Sequence, residues 1–256
     1  MQIFVISVHY GDPQITTDFL HSLTTGAVQP TEIVIIDHDP EPFTTDKATV
    51  LRPAANNGYG AGINYGLGWL TTQNAQPDDL VIAVNNDTTW PQDSLKNLVD
   101  WWQEGKPNGL VSPLVKEGNK IIAGGHVNLW RGRATLRQSP TKDGSEEKLA
   151  APDYIHGACI AAAYKTWLTL KGFPENYFMY GEDVALSLRA QQKRIPLEIP
   201  PTTINQQQHS ITKQQTYYLV RNGARWLEQE TPGLWPYYWK ITNRLRWLYH
   251  TLLGKK

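Results

Sequence analysis

The chain has one cysteine, Cys159, in 256 residues. An internal disulfide framework is therefore excluded, and a reducing compartment, the cytoplasm, is the expectation. Net charge is missing too, since 24 Lys+Arg stand against 24 Asp+Glu. With no global basic field and no strongly acidic tail, nucleic acid is not an expected partner, and any partner has to be read from local features. The apolar opening IFVISV, residues 3–8, lacks a basic leader and is too short for a signal-peptide core or a membrane span. It reads as a first strand. No internal repeat recurs at a fixed period, and no Ser-His-Asp or Cys-His arrangement suggests a covalent intermediate. What is present is core material: at 40% hydrophobic and 11% aromatic residues, the chain can bury the interior of one large domain or two small ones.

β-rich segments alternate with helix-compatible stretches through the first half, which predicts an α/β fold with a mostly parallel sheet flanked by helices. IFVISV (3–8) is strand one, Asp18 to Leu23 a helix, EIVIID (32–37) strand two, and TVLRP (49–53) a weaker strand. NNGYGAGINYGLGWLTTQ (56–73) has glycines at its start and apolar residues at helical spacing, and LVIAV (80–84) is a buried strand. LVSPLV, KIIAGGHVNLW and YIHGACIAAAY read as further strands, and the polar segment 139–153 as a mobile or site-covering loop. GEDVALSLRAQQKR reads as a helix, with acids in its first turn and basic residues in its last.

Two carboxylate clusters invite chemistry. Strand two ends in Asp37 and the LVIAV strand runs into Asn85, Asn86 and Asp87. Ligand crevices of open parallel sheets lie beyond the carboxyl ends of the strands, so the two acids are expected to share one site. Asp87, with Asn85 beside it, can supply oxygen ligands to magnesium or manganese, and Asp37 can accept a hydrogen bond from a nucleobase imide; both can equally be turn and cap residues. Glu182 and Asp183 are ordinary helix-start acids on one reading. On the other, the aromatic loop GFPENYFMYG before them shields a carboxylate and raises its basicity, as a general base requires.

The segment HGACIAAAYKTWLTLKGFPENYFMYGEDVALSLRAQQKR resembles the acceptor and catalytic region of inverting glycosyltransferases with the GT-A fold, in particular the rhamnosyltransferase-like members of the large family two type. VHYGD, IIDHDP, NNGYGAGINYG, the Asp-x-Asp-like NND, QQQHSIT and YYLVRNGARW follow in the family's order, so the resemblance covers residues 3–226. It implies a single Rossmann-like domain over 1–226, with a nucleotide-binding half (1–110) and an acceptor half (111–226), and a C-terminal helical tail at 227–256. It also implies that Val8, His9, Tyr10 and Asp37 hold a pyrimidine base and that Asn57 and Asn64 line the nucleotide. Asn85, Asn86 and Asp87 fall at the diphosphate, Asp87 and His209 at the metal. Asp183 matches the catalytic base, with Glu182 orienting acceptor or loop.

The implied activity is metal-dependent inverting transfer of a sugar from a pyrimidine nucleoside-diphosphate donor to a glycan or lipid-linked glycan during cell-surface polysaccharide synthesis. dTDP-rhamnose is the favoured donor; a UDP-hexose, UDP-galactofuranose or another UDP-sugar, and a catalytically inactive nucleotide-sugar-binding module, are the alternatives. Two departures stand out: Asn85 replaces the first acid of Asp-x-Asp, and Ala185 stands where many relatives carry a further Asp. A nicotinamide oxidoreductase is disfavoured, because no Gly-x-Gly-x-x-Gly register fits NNGYGAGINYG and the segment does not follow strand one.

After Glu230 there are no acids, while Lys240, Arg244, Arg246, Lys255 and Lys256 are interspersed with Trp235, Tyr237, Tyr238, Trp239, Trp247 and Tyr249. Tyr238, Ile241, Leu245, Leu248 and Leu252 form an apolar face at helical spacing. Too polar to span, residues 235–256 are expected either to pack on the domain or to lie on an anionic membrane surface, placing the protein peripherally on the inner face of the cell membrane.

Overall fold

The computed structural model describes residues 1–105, 108–139, 150–208 and 212–253. In chain order its elements are β1 (Ile3–His9), α1 (Pro13–Thr24), β2 (Glu32–Asp37), β3 (Thr49–Leu51), α2 (Tyr59–Thr72), β4 (Leu80–Val84), β5 (Thr88–Thr89), α3 (Ser94–Gly105), β6 (Leu110–Val111), β7 (Leu114–Glu117), β8 (Lys120–Asn128), β9 (Arg133–Gln138), β10 (Cys159–Ala163), α4 (Tyr164–Leu170), α5 (Glu182–Gln192), β11 (Leu197–Glu198), β12 (Thr203–Gln206), α6 (Lys213–Gln229) and α7 (Trp235–Leu253).

The period-2 alternation of β1 sets the layering. Ile3 and Val5 enter a core with Phe19, Leu20 and Leu23 of α1 and Leu98 and Trp102 of α3. Phe4 and Ile6 enter the opposite core with Ile63, Leu67 and Leu70 of α2, Trp167 of α4 and Leu186 of α5. Both faces of the sheet are thus covered, which is why β4 and β10 are apolar throughout. The order is β11-β6-β10-β4-β1-β2-β3. β1 pairs in parallel with β2 and β4, β2 with β3, and β6 with β11, while β10 runs antiparallel to β4 and β6. This is the mostly parallel, mixed central sheet of the GT-A fold.

A second, five-stranded sheet, β5-β12-β7-β8-β9, stands beside the first and was not foreseen from the sequence. Its origin lies in Pro113, which removes a backbone donor inside the expected strand LVSPLV. That segment divides at Ser112 and Pro113 into β6, in the large sheet, and β7, in the small one. The first helix is longer than Asp18–Leu23: Asp12 caps it by accepting from Gln14 N–H at 2.9 Å, and Pro13 occupies its first turn. Of the loop expected over 139–153, residues 140–149 lie outside the described residues.

α6 runs through position 226, where the sequence reading divides domain from tail. α7 packs on it: Trp239 is buried, donates from Nε1 to Leu129 O at 3.1 Å, and joins Trp226 and Leu227 in a third core.

Candidate active site

A cleft of about 1330 Å³ opens between the carboxyl ends of β1 and β4, the amino end of β10, the start of α5 and the edge formed by β7 and β12. β10 is antiparallel to β4 with Cys159 opposite Val84, so the residues just before β10 lie beside those just after β4. Asp87 and Gly157, seventy positions apart in the chain, therefore line the same cavity as Glu182 and Asp183.

The start of α5 is set by two consecutive left-handed residues, Tyr180 (φ 64°) and Gly181 (φ 87°). A non-glycine residue rarely adopts that conformation and needs support from its surroundings. The support is Asn222 of α6, buried, whose Nδ2 donates to Met179 O at 2.7 Å and Tyr180 O at 2.8 Å. Asp183 Oδ1 then accepts from Val184 N–H at 2.8 Å and Oδ2 from Gly157 N–H at 3.1 Å. Glu182 Oε2 is buried with no hydrogen-bond partner among the described residues. Burial, then the neighbouring Asp183 carboxylate, pushes the Glu182 carboxyl up to about 8. Burial also raises Asp183, opposed by the backbone N–H groups of Val184 and Gly157 that favour its charged form.

Across the cleft, Gln206 Nε2 donates to Asp87 Oδ1 at 3.1 Å, while Gln206 Oε1 has no partner among the described residues. Glu117, paired in register with Gln206, is raised by burial and by the nearby Asp87 charge. His156 Nδ1 accepts from Ala158 N–H at 3.3 Å, which leaves the ring proton on Nε2, 3.7 Å from Glu117 Oε1. Burial lowers His156 to about 4, so the imidazole is neutral near pH 7 and its contact with Glu117 is a polar contact rather than an ion pair.

Asp87 and Glu117 offer carboxylate oxygens suited to a hard divalent cation, with Gln206 Nε2 orienting the Asp87 carboxylate. No group of three or more His, Cys, Asp or Glu side chains among the described residues could hold such an ion unaided. The set thus fits a cation that takes its remaining ligands from a substrate diphosphate and water. His209 lies outside the described residues.

The other sequence candidates separate into two groups. Val8, Tyr10, Asn85 and Asn86 line the cleft, Tyr10 well exposed and Asn86 Nδ2 donating to Thr16 Oγ1 at 2.7 Å. His9, Asp37, Asn57 and Asn64 do not line it. His9 is buried, with Nδ1 2.7 Å from Thr16 Oγ1 and its ring 4.5 Å from that of Phe43. Asp37 accepts from Asp39 N–H at 3.0 Å, Phe43 N–H at 2.9 Å and the Arg52 guanidinium. Its carboxylate is thereby committed to the loop after β2 instead of sharing a cavity with Asp87. Asn64 clamps the loop ahead of α5, accepting from Phe173 N–H at 2.8 Å and donating to Phe173 O at 2.9 Å. Asn57 and Asn64 both line a separate pocket described below.

The glycines of the α2 segment serve contact. A Cβ on Gly62 would lie 2.9 Å from Val8 Cγ2, and one on Gly58 (φ +96°) would lie 2.0 Å from Phe178 O. The loop ahead of α5 therefore rests directly on the α2 amino terminus, where Tyr59 N–H donates to Phe178 O at 3.1 Å. Sequence reasoning did not single out Glu117, His156, Gln206 or Asn222. The first three acquire a role only when the second sheet closes the cleft, and the one available signal for Asn222 was its place in the YYLVRNGARW segment.

Four of the buried side-chain atoms without a partner among the described residues belong to cleft residues: His38 Nε2, Tyr59 Oη, Glu182 Oε2 and Gln206 Oε1. Buried polar atoms are ordinarily paired, so their convergence marks a site completed by a polar ligand. The sheet, the cleft at its strand ends and the Glu-Asp helix start define a GT-A glycosyltransferase. Glycosyl transferase family 2 matches residues 4–160, and the chain belongs to that family.

Relatives agree with this class. An N-acetylglucosaminyl-diphospho-decaprenol L-rhamnosyltransferase of Mycobacterium tuberculosis is 28% identical over 212 residues, 72% of this chain and 69% of the relative. The fold is also that of GalNAc-T7 solved with UDP, GalNAc and Mn2+, at a TM-score of 0.68 and 13% identity over 89% of this chain; the match spans 48% of that longer chain. S. aureus TarS 1-349 matches at a TM-score of 0.60 and 16% identity, covering 93% of this chain and 68% of its own.

Proposed function

We propose that this glycosyltransferase moves a sugar, rhamnose from a dTDP-linked donor in the favoured case, onto a lipid-linked glycan with inversion at the anomeric carbon. The observation that carries the reading is the Glu182–Asp183 pair, Glu182 buried and Asp183 half-buried, lining the same cleft as Asp87. The rhamnosyl preference draws on the rhamnosyltransferase-like motifs and on the mycobacterial relative, whose name specifies a diphospho-decaprenol-linked acceptor.

Val8, Tyr10 and His38 form the wall against which the pyrimidine would stack, and Asp37 supports it from behind by holding the loop at 39–43. When bound, magnesium or manganese at Asp87 and Glu117 would neutralise charge building on the leaving diphosphate. The remaining chemistry falls to the pair on α5. Asp183 accepts from the backbone N–H groups of Val184 and Gly157, which favour its charged form against the upward push of burial, whereas burial and the neighbouring Asp183 raise Glu182 to about 8, so Glu182 keeps a proton near pH 7. As the acceptor oxygen bonds to the anomeric carbon and the bond to the nucleoside diphosphate breaks, the hydroxyl proton passes to Asp183. A single displacement inverts the centre and needs no covalent enzyme intermediate.

The tail supports a membrane-facing acceptor. Leu234 (81% exposed), just before α7, continues into an outward stripe of Tyr237, Tyr238, Ile241 (62%) and Leu245 (59%) along the helix, flanked by exposed Lys240 and Arg244. An apolar stripe with basic flanks suits peripheral contact with an anionic bilayer. Among the described residues no helix is long and apolar enough to cross a membrane.

Incubating the protein with manganese and a panel of dTDP- and UDP-sugars, with a lipid-diphosphate acceptor present, tests the proposal. Nucleoside diphosphate release and an inverted product are expected from dTDP-rhamnose. Asp87→Ala is expected to lose manganese-dependent binding of the nucleoside diphosphate without unfolding, because Asp87 lies past a strand end and outside the apolar cores. Release from no donor, or manganese-dependent binding retained by the variant, would overturn it.

A further inference from the structure

Next to the cleft lies a second pocket of about 550 Å³, walled off by the stacked rings of Phe178 and Tyr218, whose centroids are 5.4 Å apart. Phe178, Tyr218 and Asn56 line both cavities. The pocket's charged chemistry comes from α6, where Arg221 and Arg225 are one turn apart and both face into it. Each guanidinium is carried on an aromatic ring: Arg221 is 5.9 Å from the centroid of Tyr217 and Arg225 is 5.6 Å from that of Tyr177. Among the described residues neither forms an ion pair with a carboxylate. The one acid lining the pocket, Glu175, accepts from Asn64 Nδ2 at 3.3 Å.

The two cavities therefore differ in sign. Among the described residues the carboxyl groups of Asp87, Glu117, Glu182 and Asp183 line the cleft with one cationic side chain, Arg133, whereas the pocket sets two guanidiniums against one carboxylate. Where no cation intervenes, a phosphoryl group is repelled by the carboxylate-lined wall of the cleft and attracted to the pocket. Guanidinium forks held one helical turn apart match the oxygens of a phosphate or diphosphate better than those of a neutral sugar.

We propose that this pocket is an acceptor-side phosphate subsite. It holds the phosphate or diphosphate through which an acceptor sugar is linked to its carrier, while that sugar passes the Phe178–Tyr218 wall toward Asp183. The proposal rests on the glycosyl-transfer reading of the cleft. It also explains an economy of the fold: α6 carries both the arginines and Asn222, which holds the carbonyls of Met179 and Tyr180. One helix thereby links occupancy of the pocket to the geometry of the Glu-Asp helix start.

The test uses the full chain and two variants, Arg221→Gln, at an exposed position, and Arg221→Gln/Arg225→Gln. Inorganic pyrophosphate titrated calorimetrically in the presence of EDTA, which removes cation-mediated binding in the cleft, is expected to bind the wild type and to weaken about tenfold or more in the double variant. Transfer is then compared between a sugar carried on a lipid diphosphate and the same sugar as an alkyl glycoside. The ratio of their kcat/KM values should fall about tenfold in the double variant, and in the same direction in Arg221→Gln. An unchanged ratio, or pyrophosphate binding indifferent to both substitutions, overturns the subsite. A rise in donor KM in place of the change in acceptor ratio also overturns it, because the guanidiniums would then serve the donor diphosphate. If the wild type transfers to neither acceptor, the glycosyl-transfer reading fails on its own, and the pyrophosphate titration still decides whether the pocket binds phosphate.

Discussion

The backbone N–H of Gly157 donates to Oδ2 of Asp183 at 3.1 Å, and a Cβ at position 157 would stand 3.1 Å from that same oxygen. A carboxylate fixed this closely against the strand that follows β4 in space cannot swing away from the cleft. Asp183→Asn nearly preserves shape but cannot accept a proton. The chemical step is expected to slow by about a hundredfold to ten-thousandfold while donor affinity stays near wild type, and Glu182→Gln is expected to be milder. Single-turnover rates alongside donor titration separate the two; the reverse ranking would transfer the base role to Glu182.

Stability should carry the signature of Glu182. Its folded-state carboxyl is raised to about 8, above its unfolded value, so between those two values the native state binds a proton that the unfolded chain has released. Native stability then falls as pH rises, by up to about 1.4 kcal/mol per pH unit. His156, lowered to about 4, acts in the opposite sense, and its contribution levels off about one pH unit above the ordinary histidine value of 6.5. Denaturant melts in EDTA from about pH 7.5 to 8.5, above the histidine range, follow the fall set by the buried Glu182–Asp183 pair, which Glu182→Gln should flatten. A wild-type stability that rises across this interval would refute the assignment.

Asn222→Ala removes one amide that holds two carbonyls beside a left-handed Tyr180. We expect a loss of about 1–3 kcal/mol, the cost of leaving buried carbonyls unpaired. The fall in kcat should exceed any weakening of donor binding, because the disturbed turn leads into Glu182 and Asp183. A stability loss with kcat intact would reduce Asn222 to a purely structural clamp.

The two sides of α7 should respond differently. Ile241→Glu combined with Leu245→Glu alters only the outward stripe and is expected to abolish co-sedimentation with anionic vesicles while leaving the melting transition in place. Trp239→Ala, on the buried side, should instead cost about 3–5 kcal/mol. Vesicle binding unaffected by the paired glutamates would leave α7 as packing alone.

The layered α/β core was legible because it follows from local pattern. Ile3 to Ile6 alternate between two cores, LVIAV is buried on both sides, and acids sit at the start of α5, as any chain with this sequence would place them. The rule that parallel strands deliver their carboxyl ends to one edge placed Asp87 at the cleft, but it also placed Asp37 there, whose carboxylate instead holds the loop after β2.

The sequence by itself determined the strand and helix periods, the acid-free tail and the order of motifs that identify the family. Tertiary structure alone decided which candidate side chains face the cleft and which carboxyl groups burial makes less acidic there. Asp37 turns to Arg52 and the loop after β2, Asn64 reaches Phe173 across 109 residues, and Pro113 sends β7 into the sheet that brings Glu117 and Gln206 to Asp87. The reason is physical. Periodicity and capping are set within one or two turns of chain, whereas a side chain's hydrogen-bond partner and its loss of water depend on groups that meet only when distant segments pack.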